Sequence, residues 1–160
     1  MPLTNEQRAA LTNETMSWVG TRYRGWSAVK GPKGGVDCGM LVKAVYQNCG
    51  FVQGDLKIDM TYSLDVARHM ADSKYIDKIE EFMREIPQEE VLPGDVMLFK
   101  IGLAFAHAAI IVQWPLAVHG LAHGGVKCTN GVSHPLLKKA VHKFYTLKEE
   151  YCHMITGKAG

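Results

Sequence analysis

A chain of 160 residues with 47% apolar side chains has material for one hydrophobic core, so residues 1–160 are expected to form a single domain. Eighteen basic against sixteen acidic side chains leave a net charge of +2, which excludes the concentrated basic stripe of a nucleic-acid-binding surface. The longest apolar stretch, Leu103 to Val112, is interrupted by His107 and is too short for a membrane span.

Residues Met1 to Gln7 carry neither a positive segment nor an apolar one. No Sec-type signal is read there, and synthesis in the cytoplasm is expected. The four cysteines, Cys38, Cys49, Cys128 and Cys152, are irregularly spaced and form no CxxC pair. That pattern suggests reduced thiols rather than a disulfide framework.

Thr4 followed three residues later by Gln7 forms a capping-box pattern, and Leu11, Thr15 and Trp18 then share one helical face. A helix is predicted over Asn5 to Val19. Gly20 to Val36 is rich in glycine, with basic and aromatic residues between, and predicts a long irregular loop suited to the wall of a cleft. Asp37 is a natural N-cap, followed by an apolar stripe through Leu41, Val42, Val45, Tyr46 and Cys49 that stops at Gly50. Cys38 therefore falls in the first turn of a core helix. Ser63 and Ser73 predict caps for short helices over Leu64 to Asp72 and Lys74 to Arg84, the second with Ile76, Ile79 and Phe82 inward.

Beyond the turn Pro93-Gly94-Asp95 the pattern changes to short runs rich in Val, Ile and Phe. Strands are predicted over Val96 to Lys100, Phe105 to Gln113, Leu116 to His119, Val126 to Thr129 and Lys143 to Leu147. Helices followed by an antiparallel sheet make an α+β chain.

A thiol at a helix N-terminus has its anion favoured by the helix dipole and by unpaired backbone N–H groups, which also suit an oxyanion. A lone buried cysteine is more often a small apolar core residue. Here a glycine-rich loop runs into Cys38, and His107 lies later in an otherwise apolar strand, where an imidazole must find a partner or face a cleft. His119 ends the next strand and is placed to orient His107. A metal reading would join His119 and His123 to His107 and Cys38, but Gly120, Gly124 and Gly125 argue against a helix presenting the two imidazoles together. No metal and no cofactor are expected. His69, His134, His142 and His153 lie in polar segments and are expected on the solvated surface, while Trp26 and Trp114 are candidates to flank the cleft.

Five segments, Gly20-Thr21-Arg22-Tyr23-Arg24-Gly25, Gly35-Val36-Asp37-Cys38, Pro93-Gly94-Asp95-Val96-Met97-Leu98-Phe99, His107-Ala108-Ala109-Ile110-Ile111-Val112 and Val118-His119, resemble in order the signature segments of the NlpC family of bacterial cell-wall cysteine peptidases. The resemblance implies a papain-like fold, with N-terminal helices packed on a C-terminal antiparallel sheet. It also implies a triad of Cys38, His107 and His119, with Tyr23 near the oxyanion. The implied substrate is a peptidoglycan stem peptide cut between D-glutamate and the following diamino acid, with Asp37 and the position of Gly39 lining its pocket; Trp26, as a cleft-flanking candidate, is added to them as a substrate-binding position. The family motif continues with serine where Gly39 stands, so acceptance of a free N-terminal alanine is in question. A non-catalytic wall-binding or phage tail module, or an acyltransferase using the same triad, are the competing readings. Lysis, a phage tail or secretion-system partners are the expected routes to the wall.

Overall fold

The computed structural model describes residues 2–25, 27–51, 74–101, 104–121, 124–135 and 137–152. The predicted helix over Leu64 to Asp72, both serine caps, Trp26, His69, His123 and His153 lie outside the described residues.

Helix α1 spans Asn5–Met16. Its capping box is complete, with Gln7 N–H donating to Thr4 Oγ1 at 3.1 Å and Thr4 N–H to Gln7 Oε1 at 2.8 Å. The helix ends before Val19 because Ser17 turns its hydroxyl back to the Glu14 carbonyl and Gly20 takes φ +94°. Trp18, beyond that end, is nevertheless buried.

The segment from Gly20 to Val36 is more ordered than its glycine content suggests. Strands β1 (Ala28–Val29) and β2 (Gly35–Val36) pair antiparallel, and Tyr23 forms a parallel bridge with Val36. Gly34 and Gly35 permit this close approach: a Cβ on Gly34 would lie 1.9 Å from the Val29 carbonyl oxygen. Helix α2 follows at Cys38–Asn48, with Gly50 at φ +82° beyond its end. Leu41, Val42, Ala44, Val45 and Tyr46 are all buried along it.

Helix α3 covers Lys74–Phe82, with Ile79 and Phe82 buried. It stops two residues before the predicted Arg84, because Met83–Ile86 forms strand β3, which the sequence reading did not anticipate. Ile79, Met83 and Ile86 satisfy a helical period, but Met83 and Ile86 also suit a short strand that Pro87 terminates.

The remaining strands are β4 (Val96–Ile101), β5 (Ala104–Gln113), β6 (Leu116–Leu121), β7 (Gly125–Asn130) and β8 (His142–Leu147). Together with β3 they make a six-stranded antiparallel sheet in the order β3-β8-β4-β5-β6-β7. Alternation along the strands divides the interior in two. Leu98, Ile110, Val118 and Tyr145 join Leu11, Leu41 and Val45 in the core beneath the helices. Met97, Phe99, Ile111, Ala117 and Phe144 form the second core with Leu137. Among the described residues no helix is long and apolar enough to cross a membrane.

Candidate active site

Asp37 has extended backbone angles, and its carboxylate accepts the Met40 N–H at 2.9 Å, which fixes the first turn of α2 and makes Cys38 its first residue. Both residues are buried. The approach to this turn is held by backbone pairing: Val36 N–H donates to the Arg22 carbonyl at 2.9 Å and Arg24 N–H to the Val36 carbonyl at 3.1 Å. Tyr23 is thereby carried alongside the strand that leads into the cysteine. Gly120 of β6 completes the approach, since a Cβ there would lie 3.7 Å from both the Cys38 nitrogen and the Tyr23 ring.

His107 in β5 and His119 in β6 are both buried, and their side chains meet: His107 Nε2 lies 2.8 Å from His119 Nδ1. The rings are edge to face, with centroids 5.1 Å apart. The other nitrogen of His119, Nε2, lies 2.9 Å from Thr129 Oγ1 in β7. His134, expected on the solvated surface, is half-buried and packs edge-on against His119 with centroids 5.6 Å apart. Phe99 flanks His107 at 5.8 Å.

Burial dominates the electrostatics. It pushes the Cys38 thiol up to about 12, with Asp37 adding to the rise, although the backbone N–H groups of Ala108, Gly39 and Cys38 hydrogen-bond the sulfur and act downward. The anion expected from the helix terminus is thus outweighed by desolvation. Burial, then the proximity of His119 and His134, lowers His107 to about 3. His119 falls to about 4 for the same first reason, with His134 contributing. The Tyr23 hydroxyl is raised to about 12 by burial, with Cys38 and Asp37 adding to the rise. At neutral pH the resting site therefore holds a thiol, two neutral imidazoles and a phenol. Ala108, adjacent to His107, is one of the groups at the sulfur, so strand β5 and the start of α2 meet at the thiol.

A family model described as the NlpC/P60 family matches residues 17–146. The chain belongs to the NlpC/P60 family. The solved structures agree on the fold. An NLP/P60 family protein from Staphylococcus aureus, described as similar to a lipoprotein, has a TM-score of 0.60 at 17% identity, covering 93% of this chain and 44% of that one. NlpC1 from Trichomonas vaginalis gives 0.56 at 15% identity, with 89% and 44% covered. An NlpC/P60 family protein from Bacillus cereus gives 0.54 at 17%, with 85% and 39% covered. The chain thus spans less than half the length of these structures. No curated protein matches it. The α+β, papain-like architecture expected from the sequence is the NlpC/P60 one.

Of the remaining positions singled out in the sequence, Gly39 is buried in the first turn of α2. Trp114 packs edge-on against Phe144 at 5.0 Å, in the second core. None of the four cysteines is joined in a disulfide, and Cys49 and Cys152 are buried. Thr129 and His134 also join the His107–His119 cluster, where the sequence analysis did not place them. Thr129 had a signal: in a β6–β7 hairpin it stands diagonally across from His119 on the same face.

Proposed function

We propose that this chain is a cysteine endopeptidase that hydrolyses peptidoglycan stem peptides at the amide between D-glutamate and the following diamino acid, with residues 1–160 acting as one papain-like domain. Cys38 is the nucleophile, His107 its base and His119 the group that orients His107. The observation that carries this reading is the 2.8 Å contact between His107 Nε2 and His119 Nδ1, which leaves the other nitrogen of His107 to exchange a proton.

The chemistry follows from the resting charges. With a neutral thiol and a neutral base, His107 takes the Cys38 proton as the sulfur attacks the amide carbon, so that little charge accumulates on a buried sulfur. The carbonyl oxygen becomes an oxyanion within reach of the Cys38 N–H, with the Tyr23 hydroxyl as a second donor. Protonated His107 then gives its proton to the leaving amine, and the C–N bond breaks to leave a thioester. Water, deprotonated by the same imidazole, releases the acyl group and regenerates the thiol. Asp37, Gly39 and Trp26 are assigned to substrate binding. Glycine at position 39, in place of the serine of the family motif, removes a hydroxyl from the pocket for the amino end of the peptide.

Digestion of purified sacculi, with mass spectrometry of the soluble fragments, tests the reading. Wild-type protein is expected to release fragments ending at D-glutamate, and Cys38→Ala to release none while retaining its circular dichroism. Undiminished release by Cys38→Ala would overturn the assignment. Sacculus binding without release would favour a wall-binding module, and fragments joined to an added amine would favour acyl transfer.

A further inference from the structure

The contact chain at His107 continues beyond His119 to strand β7, and its direction is constrained by proton counting. His107 Nε2, His119 Nδ1, His119 Nε2 and Thr129 Oγ1 are linked by contacts of 2.8 Å and 2.9 Å. When His107 has accepted a proton, both of its nitrogens carry hydrogen, so His119 Nδ1 must accept. A neutral His119 then carries its own hydrogen on Nε2, and that hydrogen points at Thr129. His119 is completely buried, which denies water easy access to this N–H. Thr129 is half-buried, leaving its own hydroxyl proton free to turn toward solvent.

We infer that Thr129 is a positioning residue that acts on His107 through His119, as the terminal hydrogen-bond acceptor that selects the Nε2–H form of His119. The opposite arrangement, with Thr129 donating to His119 Nε2, would put hydrogen on His119 Nδ1 and turn His107 Nε2 into an acceptor. Neutral His107 would then carry its hydrogen on Nδ1 and have no lone pair for the thiol proton. The hydroxyl oxygen of Thr129 thus stabilises the arrangement in which the base can work, and more so once His107 is charged. The β6–β7 register supports the placement. Thr129 pairs with Ala117, two residues from His119 and on the same face of the sheet. The inference rests on the proposed role of His107 as base.

Three variants and one spectroscopic measurement separate this inference from that reading. Thr129→Val keeps the shape and removes the acceptor. It should lower kcat on a muropeptide about 10- to 100-fold with KM within about twofold, the signature of a buried donor left unpaired in the reacting state. Thr129→Ser restores the oxygen and should stay within about threefold of wild type. Nitrogen-15 NMR of the imidazoles at neutral pH should find His119 protonated at Nε2 in wild type and in Thr129→Ser, with the Nδ1–H form gaining population in Thr129→Val. A wild-type His119 carrying its hydrogen on Nδ1 overturns the inference even if Thr129→Val does not fold. So does a folded Thr129→Val with unchanged kcat and tautomer, or a Thr129→Ser as impaired as the valine variant. If wild type and Cys38→Ala alike leave muropeptides intact, the peptidase reading fails, and the tautomer measurement alone decides the role of Thr129.

Discussion

Arg8 and Asp95 form a buried ion pair, Nη1 to Oδ1 at 2.9 Å, that fastens α1 to the turn preceding β4. The same Asp95 oxygen accepts the Thr146 hydroxyl at 2.7 Å, and its other oxygen accepts the Leu92 N–H at 2.9 Å. Arg8 also donates to the Pro93 carbonyl at 3.0 Å. One carboxylate thus ties together helix, turn and strand β8.

Breaking this pair from one side should be costly, because it strands a buried charge. Arg8→Met is expected to lower the unfolding free energy by about 3 kcal/mol. Urea denaturation would register this as a lower midpoint with an unchanged slope. Loss of less than about 1 kcal/mol would show that the pair is dispensable.

Tyr46 gives a milder counterpart. Its buried hydroxyl donates to the Gly94 carbonyl, in the turn that Asp95 organises. Tyr46→Phe leaves that carbonyl unpaired and should cost about 1–2 kcal/mol without altering turnover, as measured by denaturation and by muropeptide assay.

Stability should fall on acidification through a specific window. His107 and His119 have folded values of about 3 and about 4, below the ordinary 6.5 of an imidazole. Between those limits the unfolded chain binds protons that the folded one refuses. Their contribution is therefore complete above pH 6.5 and declines as pH falls toward 4, by up to about 1.4 kcal/mol per pH unit for each ring. Denaturation midpoints measured between pH 7.5 and pH 5 should follow this trend, and His119→Asn, which cannot titrate, should flatten it.

The thiol should titrate late. With Cys38 raised to about 12, alkylation by iodoacetamide should accelerate close to tenfold per pH unit between about pH 7 and 9, following the thiolate fraction. A rate already constant at pH 7 would show instead that the resting site is a thiolate–imidazolium pair.

Local pattern made much of this architecture legible. The strands predicted over Val96 to Lys100 and Lys143 to Leu147 each fall one residue short of their observed extent, because short runs of apolar and aromatic residues such as Val96-Met97-Leu98-Phe99 and Phe144-Tyr145-Thr146-Leu147 carry little ambiguity. The Asp37 cap and the position of Cys38 were equally plain, since one side chain bonding three residues ahead is a local event. Strand β3 escaped because Ile79, Met83 and Ile86 fit two periods at once, and only pairing with β8 decides between them. The order in the Gly20 to Val36 segment also depends on distant partners, with Gly20 and Thr21 bonded to Val126. His134 was hidden for the same reason, since it meets His119 only through tertiary packing. Thr129 was legible in principle, because the β6–β7 hairpin sets it diagonally across from His119.

Cys38 opens a helix that buries Leu41, Val42, Ala44, Val45 and Tyr46 in the core. Local opening of such an element exposes nearly the whole helix-side core, so its backbone amides should exchange with deuterium only when the entire domain unfolds. The Cys38 thiol should therefore have no partial melting route of its own. Thermal inactivation and global unfolding should occur as one event, even though Cys38 is the first residue of a helix, where fraying usually begins.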